Sequence, residues 1–247
     1  MSEDITEILG AAYATYPGEG VKPGVICMAV IPYVMETCYT IQPSDPDPRS
    51  SSHRQYKLVQ KSPKTLCSDN HERWQLPFKD LNLDVDEALV AVKVKRRPVV
   101  VLSHAIVDER KVDTSRIQDS FWCVPSYTLV DQFSHPQWDI EFIEDVFALT
   151  SRCFFPLPYD AHLHDRQSML RFDRMQPIRR HLLKPTEQRL SHEWTLYLQE
   201  WARFYISGRL GDDDSDKNPD SIASALSAAR EALMEELTKK RAQQKAN

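Results

Sequence analysis

The residues best suited to chemistry are arginines, and the most distinctive group stands at positions 95–98, with the sequence Lys-Arg-Arg-Pro. A guanidinium is always charged at neutral pH and presents a planar fork of donors, so it binds phosphate groups well. Pro98 restricts the preceding residue to extended conformations, which would aim the Arg97 side chain in a fixed direction. The alternative is structural: Arg96 and Arg97 would cap a sheet edge or pair with an internal carboxylate.

Other reactive side chains predict no metal site and no cofactor. His162, His164 and Asp165 stand close together in a polar loop, but they lack the further ligands that a metal site requires. The five cysteines have no Cys-x-x-Cys spacing, so neither a zinc site nor a disulfide framework is predicted.

The strands that would position the arginines are predicted from apolar and β-branched runs. A buried strand is predicted at 25–31, after the turn signal Pro-Gly, and two more at 88–95 and 98–103. A strand at 119–128 is expected to stop at Pro125. Shorter apolar runs predict strands at 146–149 and 169–172.

Two helices are predicted toward the C-terminus. Ser191 is a plausible N-cap, aromatic residues recur at helical spacing after it, and Gly208 ends the segment. This aromatic stripe is expected to pack against the sheet. A second amphipathic helix begins at Pro219 and continues past Leu237. Strands followed by helices predict a mostly-β (β+α) protein.

Charge and composition limit the possible partners. The chain has 247 residues and a net charge of −5, so it lacks the global positive field of a non-specific nucleic-acid binder. Any RNA contact must be local, and the segment 166–189, which contains seven lysines and arginines, is the most basic stretch. The N-terminus is acidic and no apolar run is long enough to span a bilayer, so a cytoplasmic protein without membrane contact is expected.

Four segments, in chain order, resemble the MazF/PemK family of bacterial toxins. Residues 23–26 resemble the family's opening strand, and 95–103 are similar to its R-P-x-x-V-L-S strand. Residues 122–128 look like its V-x-V-P-x-T-S strand, and 168–178 match a later family stretch loosely. The resemblance implies an SH3-like small barrel over 23–208, with an insertion at about 36–87. An N-terminal segment (1–22) and an acidic linker with a helix (209–247) would flank it.

The resemblance also implies an activity. Toxins of this family cleave single-stranded RNA without a metal, using the substrate's own 2′-hydroxyl as nucleophile. Arg97 falls at the family's catalytic arginine. The family's catalytic threonine or serine aligns with Tyr127, which is a departure, and Ser126 and Thr128 flank it as other possible sources of a hydroxyl. The expected RNA-binding residues are Lys95, Arg96, Arg171 and Arg174.

Two functions therefore stay open. The first is a toxin-type endoribonuclease acting on single-stranded RNA, expected to be a homodimer and not to bind DNA. The second is a barrel without catalysis that binds a protein partner, such as an antitoxin or a regulatory protein. In the second case the insertion and the last helix would hold the partner, with the helix lying in a groove. The plainer alternative for that helix is additional core.

Overall fold

The computed structural model describes residues 2–18, 20–32, 38–43, 56–61, 90–91, 94–105, 120–130, 135–158, 167–211 and 221–246. The chain divides into two compact units. The larger unit consists of residues 1–30 and 96–247, and the smaller unit consists of residues 31–95. The predicted insertion at 36–87 falls within the smaller unit. The histidines at 162 and 164 and residues 212–220 of the predicted acidic linker lie outside the described residues.

The described part of the chain contains eleven strands and four α-helices. The strands are β1 (Tyr13–Thr15), β2 (Val25–Pro32), β3 (Cys38–Pro43), β4 (Tyr56–Lys61), β5 (Val90–Ala91), β6 (Val94–His104), β7 (Ser120–Val130), β8 (Phe154–Leu157), β9 (Gln167–Arg171), β10 (Gln176–Arg179) and β11 (Lys184–Leu190). The helices are α1 (Ser2–Leu9), α2 (Ile140–Phe147), α3 (His192–Ser207) and α4 (Ile222–Ala246). Short 3₁₀ turns lie at Phe172–Arg174 and Arg180–Leu182.

One large sheet organises the larger unit. Its strand order is β1-β11-β2-β6-β7-β9-β8, and β10 also pairs with β7. The smaller unit has a three-stranded sheet in the order β4-β3-β5. Every pair whose register is defined is antiparallel. The β+α class predicted from the sequence is confirmed.

Two predictions of local structure were wrong. Residues 146–149 form the end of helix α2 and the turn that follows it. The prediction failed because a short apolar run does not distinguish a strand from the buried end of a helix. Pro125 does not stop β7, which continues to Val130. This proline lies opposite Val99 on β6, and from Ser126 onward β7 pairs with β9. A proline removes one N–H from the ladder but leaves the extended conformation intact.

Helix α3 begins and ends as its sequence predicts. The Ser191 hydroxyl accepts a hydrogen bond from the backbone N–H of Trp194 at 3.3 Å, and Gly208 ends the helix with a φ of 77°. Trp194 and Trp201 are completely buried, and their indole N–H groups donate to the carbonyls of Gly10 and Arg152. The aromatic stripe is therefore packing, as predicted.

Helix α4 also belongs to the core. It buries Leu226, Ala229, Leu233 and Leu237, in one cluster with the aromatic side chains of α3 and the β-strands. Arg230 donates to the carbonyl of Leu149 at 2.9 Å. This apolar face is occupied within the protein itself.

A polar contact joins the far end of α4 to α2. Lys240 Nζ lies 2.6 Å from a carboxylate oxygen of Glu144, which is 8% exposed. Arg241 pairs with Asp145 at 3.1 Å. None of the described helices is long and apolar enough to cross a membrane.

Both faces of the central strands are buried. Val100 and Val124 belong to the cluster under the helices, while Val99, Val101 and Cys123, on the alternate positions, are also completely buried. Burial raises the pKa of the Cys27 thiol to about 12. Burial and the neighbouring Cys27 raise the pKa of Cys123 to about 12.

Leu233, one of the buried leucines of α4, provides a test of whether this helix is part of the core. We expect Leu233→Ala to lower the free energy of unfolding by about 2–5 kcal/mol, because it leaves a cavity. The adjacent Met234 is 39% exposed, so Met234→Ala serves as the matched control and should change stability by no more than about 0.5 kcal/mol. Urea denaturation followed by circular dichroism measures both. Equal effects of the two substitutions would contradict a core role for this helix.

The buried thiols predict a pH dependence of stability. The unfolded chain loses these protons near the ordinary thiol pKa of 9.0, whereas the folded protein keeps them up to about 12. The unfolded state thus binds fewer protons in this range, so the free energy of unfolding falls as the pH rises between these values. In the double variant Cys27→Ala/Cys123→Ala, the free energy of unfolding should fall less steeply with pH than in the wild type. Urea denaturation of both proteins at several pH values measures this difference. The same slope of unfolding free energy against pH in the two proteins would contradict the prediction.

Candidate functional site

Arg97 lies against the ring of Tyr127. The antiparallel pairing of β6 and β7 ends with Val99 opposite Pro125, and extending the same register by two residues would set Arg97 opposite Tyr127. The guanidinium carbon of Arg97 is 4.0 Å from the centroid of the tyrosine ring. At this distance the cation is attracted to the face of the ring, typically by about 0.5–1 kcal/mol at an exposed site. The side chain of Arg97 is thus held in place on this face of the sheet.

A second guanidinium contacts the same ring. Tyr127 lies opposite Met169 on β9, and Arg171 is two residues further along that strand, so it projects from the same face in a diagonal position. Its guanidinium carbon is 5.0 Å from the Tyr127 ring centroid and 5.7 Å from that of Phe154. Two of the basic residues predicted to act on RNA therefore meet at one tyrosine.

A carboxylate orients the second arginine. Arg171 donates from Nε to Asp173 Oδ1 at 3.0 Å and from a terminal nitrogen to Oδ2 at 2.5 Å, which is a bidentate pair. The hydrogen bond to Asp173 raises the pKa of Arg171 above its ordinary value. Arg174 lies 3.5 Å from the same carboxylate. We call Arg97, Tyr127, Arg171, Asp173 and Arg174 the arginine–tyrosine cluster.

The charge of the cluster favours an anion. Three guanidiniums and one carboxylate give these side chains a sum of +2. Arg171 and Asp173 are 18% and 28% exposed, so solvent reaches their pair. Asp173 already offsets one of the two positive charges on this ring, and a bound anion would offset the other. The phosphate groups of a nucleic acid are anions of the required kind.

The two other predicted hydroxyl residues lie on the opposite face of β7. Since β7 continues beyond Pro125, side chains alternate there, and Ser126 and Thr128 project away from Tyr127. Ser126 is 8% exposed and lies opposite Leu170, a member of the core under the helices. Of the three residues, only Tyr127 has its side chain on the face of Arg97.

The remaining predicted RNA-binding residues are exposed. Lys95 and Arg96 lie on β6 just before Arg97, and Lys95 belongs to the smaller unit. Along a strand Arg96 projects from the face opposite to Arg97. The described residues include no group of three or more His, Cys, Asp or Glu side chains that could hold a metal ion.

Three residues in or beside the cluster were not predicted from the sequence. Asp173 stands two residues after Arg171, and this spacing alone could have suggested a pair. Phe154 belongs to β8, whose apolar sequence Phe-Phe-Pro-Leu is a strand signal. No sequence pattern indicated Trp138, because its position beside β7 depends on contacts between separate segments of the chain.

Comparisons of the chain with protein-family models, with curated proteins and with solved structures find no match. A function for this chain is therefore inferred from its own residues and from the resemblance of its motifs.

A double-mutant cycle tests the contact between Arg97 and Tyr127. The substitutions Arg97→Gln and Tyr127→Leu, alone and combined, should show a coupling energy of about 0.5–1 kcal/mol in urea denaturation, because only the cation–ring contact is lost in both single variants. Tyr127→Phe keeps the ring and, used in place of Tyr127→Leu, should give a coupling energy near zero. Additive effects of Arg97→Gln and Tyr127→Leu would contradict the contact.

Proposed function

We propose that the chain is a MazF/PemK-like small barrel that binds single-stranded RNA at the arginine–tyrosine cluster and cleaves it without a metal. The observation that carries the proposal is the meeting of Arg97 and Arg171 at the ring of Tyr127. These residues come from three separate strands of the sheet. Two of the three belong to segments that resemble the family's strands independently.

The strand topology supports an SH3-like barrel. Strands β11, β2, β6, β7 and β10 are consecutive neighbours, so in a flat sheet the two outer strands would lie about 19 Å apart. Yet β10 and β11 are joined only by a turn that contains the 3₁₀ segment Arg180–Leu182, which advances about 2 Å per residue. Even fully extended, the connection from Arg179 to Lys184 spans at most about 17 Å, so the sheet cannot be flat between these strands, and curling of the kind found in a small barrel would shorten the distance. Burial of both faces of β6 and β7 agrees with that curling.

The proposed reaction uses the substrate's own nucleophile. The 2′-oxygen attacks the adjacent phosphorus and gives up its proton to solvent, while the bond from phosphorus to the 5′-oxygen breaks. The leaving oxygen takes up a proton, and the products are a 2′,3′-cyclic phosphate and a 5′-hydroxyl. Negative charge grows on the phosphate oxygens and on the leaving oxygen. We assign the stabilisation of this charge to Arg97, whose guanidinium lies on the tyrosine ring.

Tyr127 takes two roles in this proposal. Its ring orients both guanidiniums, and its hydroxyl is the donor available to a phosphate oxygen on this face of β7. Ser126 is excluded from that role by its burial on the other face. The replacement of the family's threonine or serine by tyrosine is thus compatible with phosphate binding, although the hydroxyl stands further from the backbone.

The second candidate is a module that binds RNA or a protein partner without cleaving anything. The opposite orientation of Ser126 and Thr128 favours it, because the cluster then lacks the short hydroxyl side chain of the toxins. Helix α4 is a poor site for such a partner, since its apolar face is already buried in the core. A partner would meet the arginine–tyrosine cluster instead. A homodimer and an antitoxin partner remain predictions from the resemblance.

RNA cleavage in EDTA separates the two candidates. Purified protein should cut a mixed-sequence single-stranded RNA and leave a cyclic phosphate, and Arg97→Ala should lower the rate by about 10²- to 10³-fold, because a preorganised donor to the transition state is lost. Gel electrophoresis and mass spectrometry of the fragments measure rate and end chemistry. An RNA with 2′-O-methyl groups should not be cut.

The matched control is Arg203→Ala. Arg203 is 70% exposed on helix α3 and pairs with Glu200 within the same helix, so its removal should leave cleavage unchanged. RNA binding without cleavage, by wild type and Arg203→Ala alike, would establish the module. Cleavage that is equally fast in Arg97→Ala would reject Arg97 as the catalytic residue.

A further inference from the structure

An exposed indole lies beside the arginine–tyrosine cluster and has no role in the reaction proposed above. Trp138 is 38% exposed, yet it is firmly held. Its Nε1 donates to the backbone carbonyl of Thr128 at 3.0 Å. The backbone N–H of the preceding residue, Gln137, donates to the carbonyl of Leu129 at 2.8 Å. These contacts fix the ring at the end of strand β7, directly after Tyr127.

A continuous row of side chains connects this indole to the arginines. The Trp138 ring is 5.0 Å from that of Phe142, and Phe142 is 5.2 Å from Phe154 in an edge-to-face arrangement. Arg171, in turn, lies over the Phe154 ring. Phe142 and Phe154 are half-buried, so the indole is the exposed ring of this aromatic row. The row thus runs from an exposed ring to Arg171, which also contacts the ring of Tyr127.

We infer that Trp138 is a stacking platform for an unpaired nucleobase of the RNA strand whose phosphate lies at Arg97. This inference deepens the proposed function and rests on its RNA-binding part, but not on cleavage. Single-stranded nucleic acids are commonly bound by basic side chains that contact the backbone and by exposed aromatic rings on which bases stack. Both kinds of group occur here, within one face of the sheet.

The charges around the indole define the path of the strand. Asp139 and Glu141 follow Trp138 closely and are exposed, so they repel phosphate groups. The RNA backbone should therefore pass on the side of Arg171, with only the base reaching the indole. Because any base has an aromatic face, the platform should tolerate sequence variation and favour purines modestly, through their larger area.

Binding of a non-cleavable RNA tests the inference separately from catalysis. The probe is a fluorescein-labelled, 2′-O-methyl oligoadenylate of about ten nucleotides, a length within the usual site size, and its anisotropy is measured in EDTA at low salt. Trp138→Ala should weaken binding by about tenfold to a hundredfold, the usual value of one stacked base. Trp138→Phe, which keeps an aromatic ring, should recover part of the loss.

Trp122 offers a matched control on the same strand. It is also 38% exposed, but it lies near the other end of β7, opposite Pro177, so Trp122→Ala should bind like the wild type. A series of RNA probes, each with one abasic nucleotide at a different position, adds a second readout. A purely structural role of Trp138 would not change how affinity depends on the abasic position. The wild type should lose affinity at one abasic position, and Trp138→Ala should lose nothing further there.

The outcomes distinguish the two proposals. If the wild type binds the probe and Arg97→Ala weakens binding, while Trp138→Ala binds like the wild type, the stacking inference alone is overturned. Equal losses in Trp138→Ala and Trp122→Ala would likewise overturn it. Absence of RNA binding by the wild type would overturn both the stacking platform and the proposed function. If Trp138→Ala does not fold, the abasic series on the wild type and on Trp138→Phe still decides.

Discussion

The register between β6 and β7 is the constraint on which the proposed site depends. Val99 lies opposite Pro125, and this pairing brings Arg97 to Tyr127. A slip of one residue would turn one of the two side chains to the other face of the sheet. Such a slip is strongly disfavoured, because it would also move buried valines on both faces of β6 out of their packing. The core therefore determines the position of the guanidinium.

Strand β7 has a central place in this arrangement. It pairs with β6 along one edge, and along its other edge with β10 in its first half and β9 in its second half. Its first half thus lies between β6 and β10, whereas its second half holds Tyr127 between arginines of two neighbouring strands. Helices α3 and α4 cover the opposite face, while α2 packs against Leu129 and Met169 on the face that carries Tyr127. The face proposed to bind RNA thus also carries buried core residues next to the cluster.

The sequence predicted the β+α class, the strands at 25–31 and 98–103, and helix α3 with both of its ends, since these depend on local periodicity and capping. It also indicated Arg97 through the proline after it. The sequence could not predict that Arg97, Tyr127 and Arg171 meet, because strand register depends on contacts between distant segments. For the same reason Trp138 was missed. The misassigned strand at 146–149 and the expected stop at Pro125 show that short apolar runs and single prolines are ambiguous without tertiary context.

The ion pairs between the end of α4 and helix α2 link distant parts of the chain. Lys240 holds the largely buried Glu144, and Arg241 holds Asp145, one turn beyond Phe142. Phe142 supports the indole of Trp138. The last turns of helix α4, far from Arg97 in sequence, therefore brace the aromatic border of the cluster. Any covalent change that neutralises those two basic side chains would loosen that border without touching a strand.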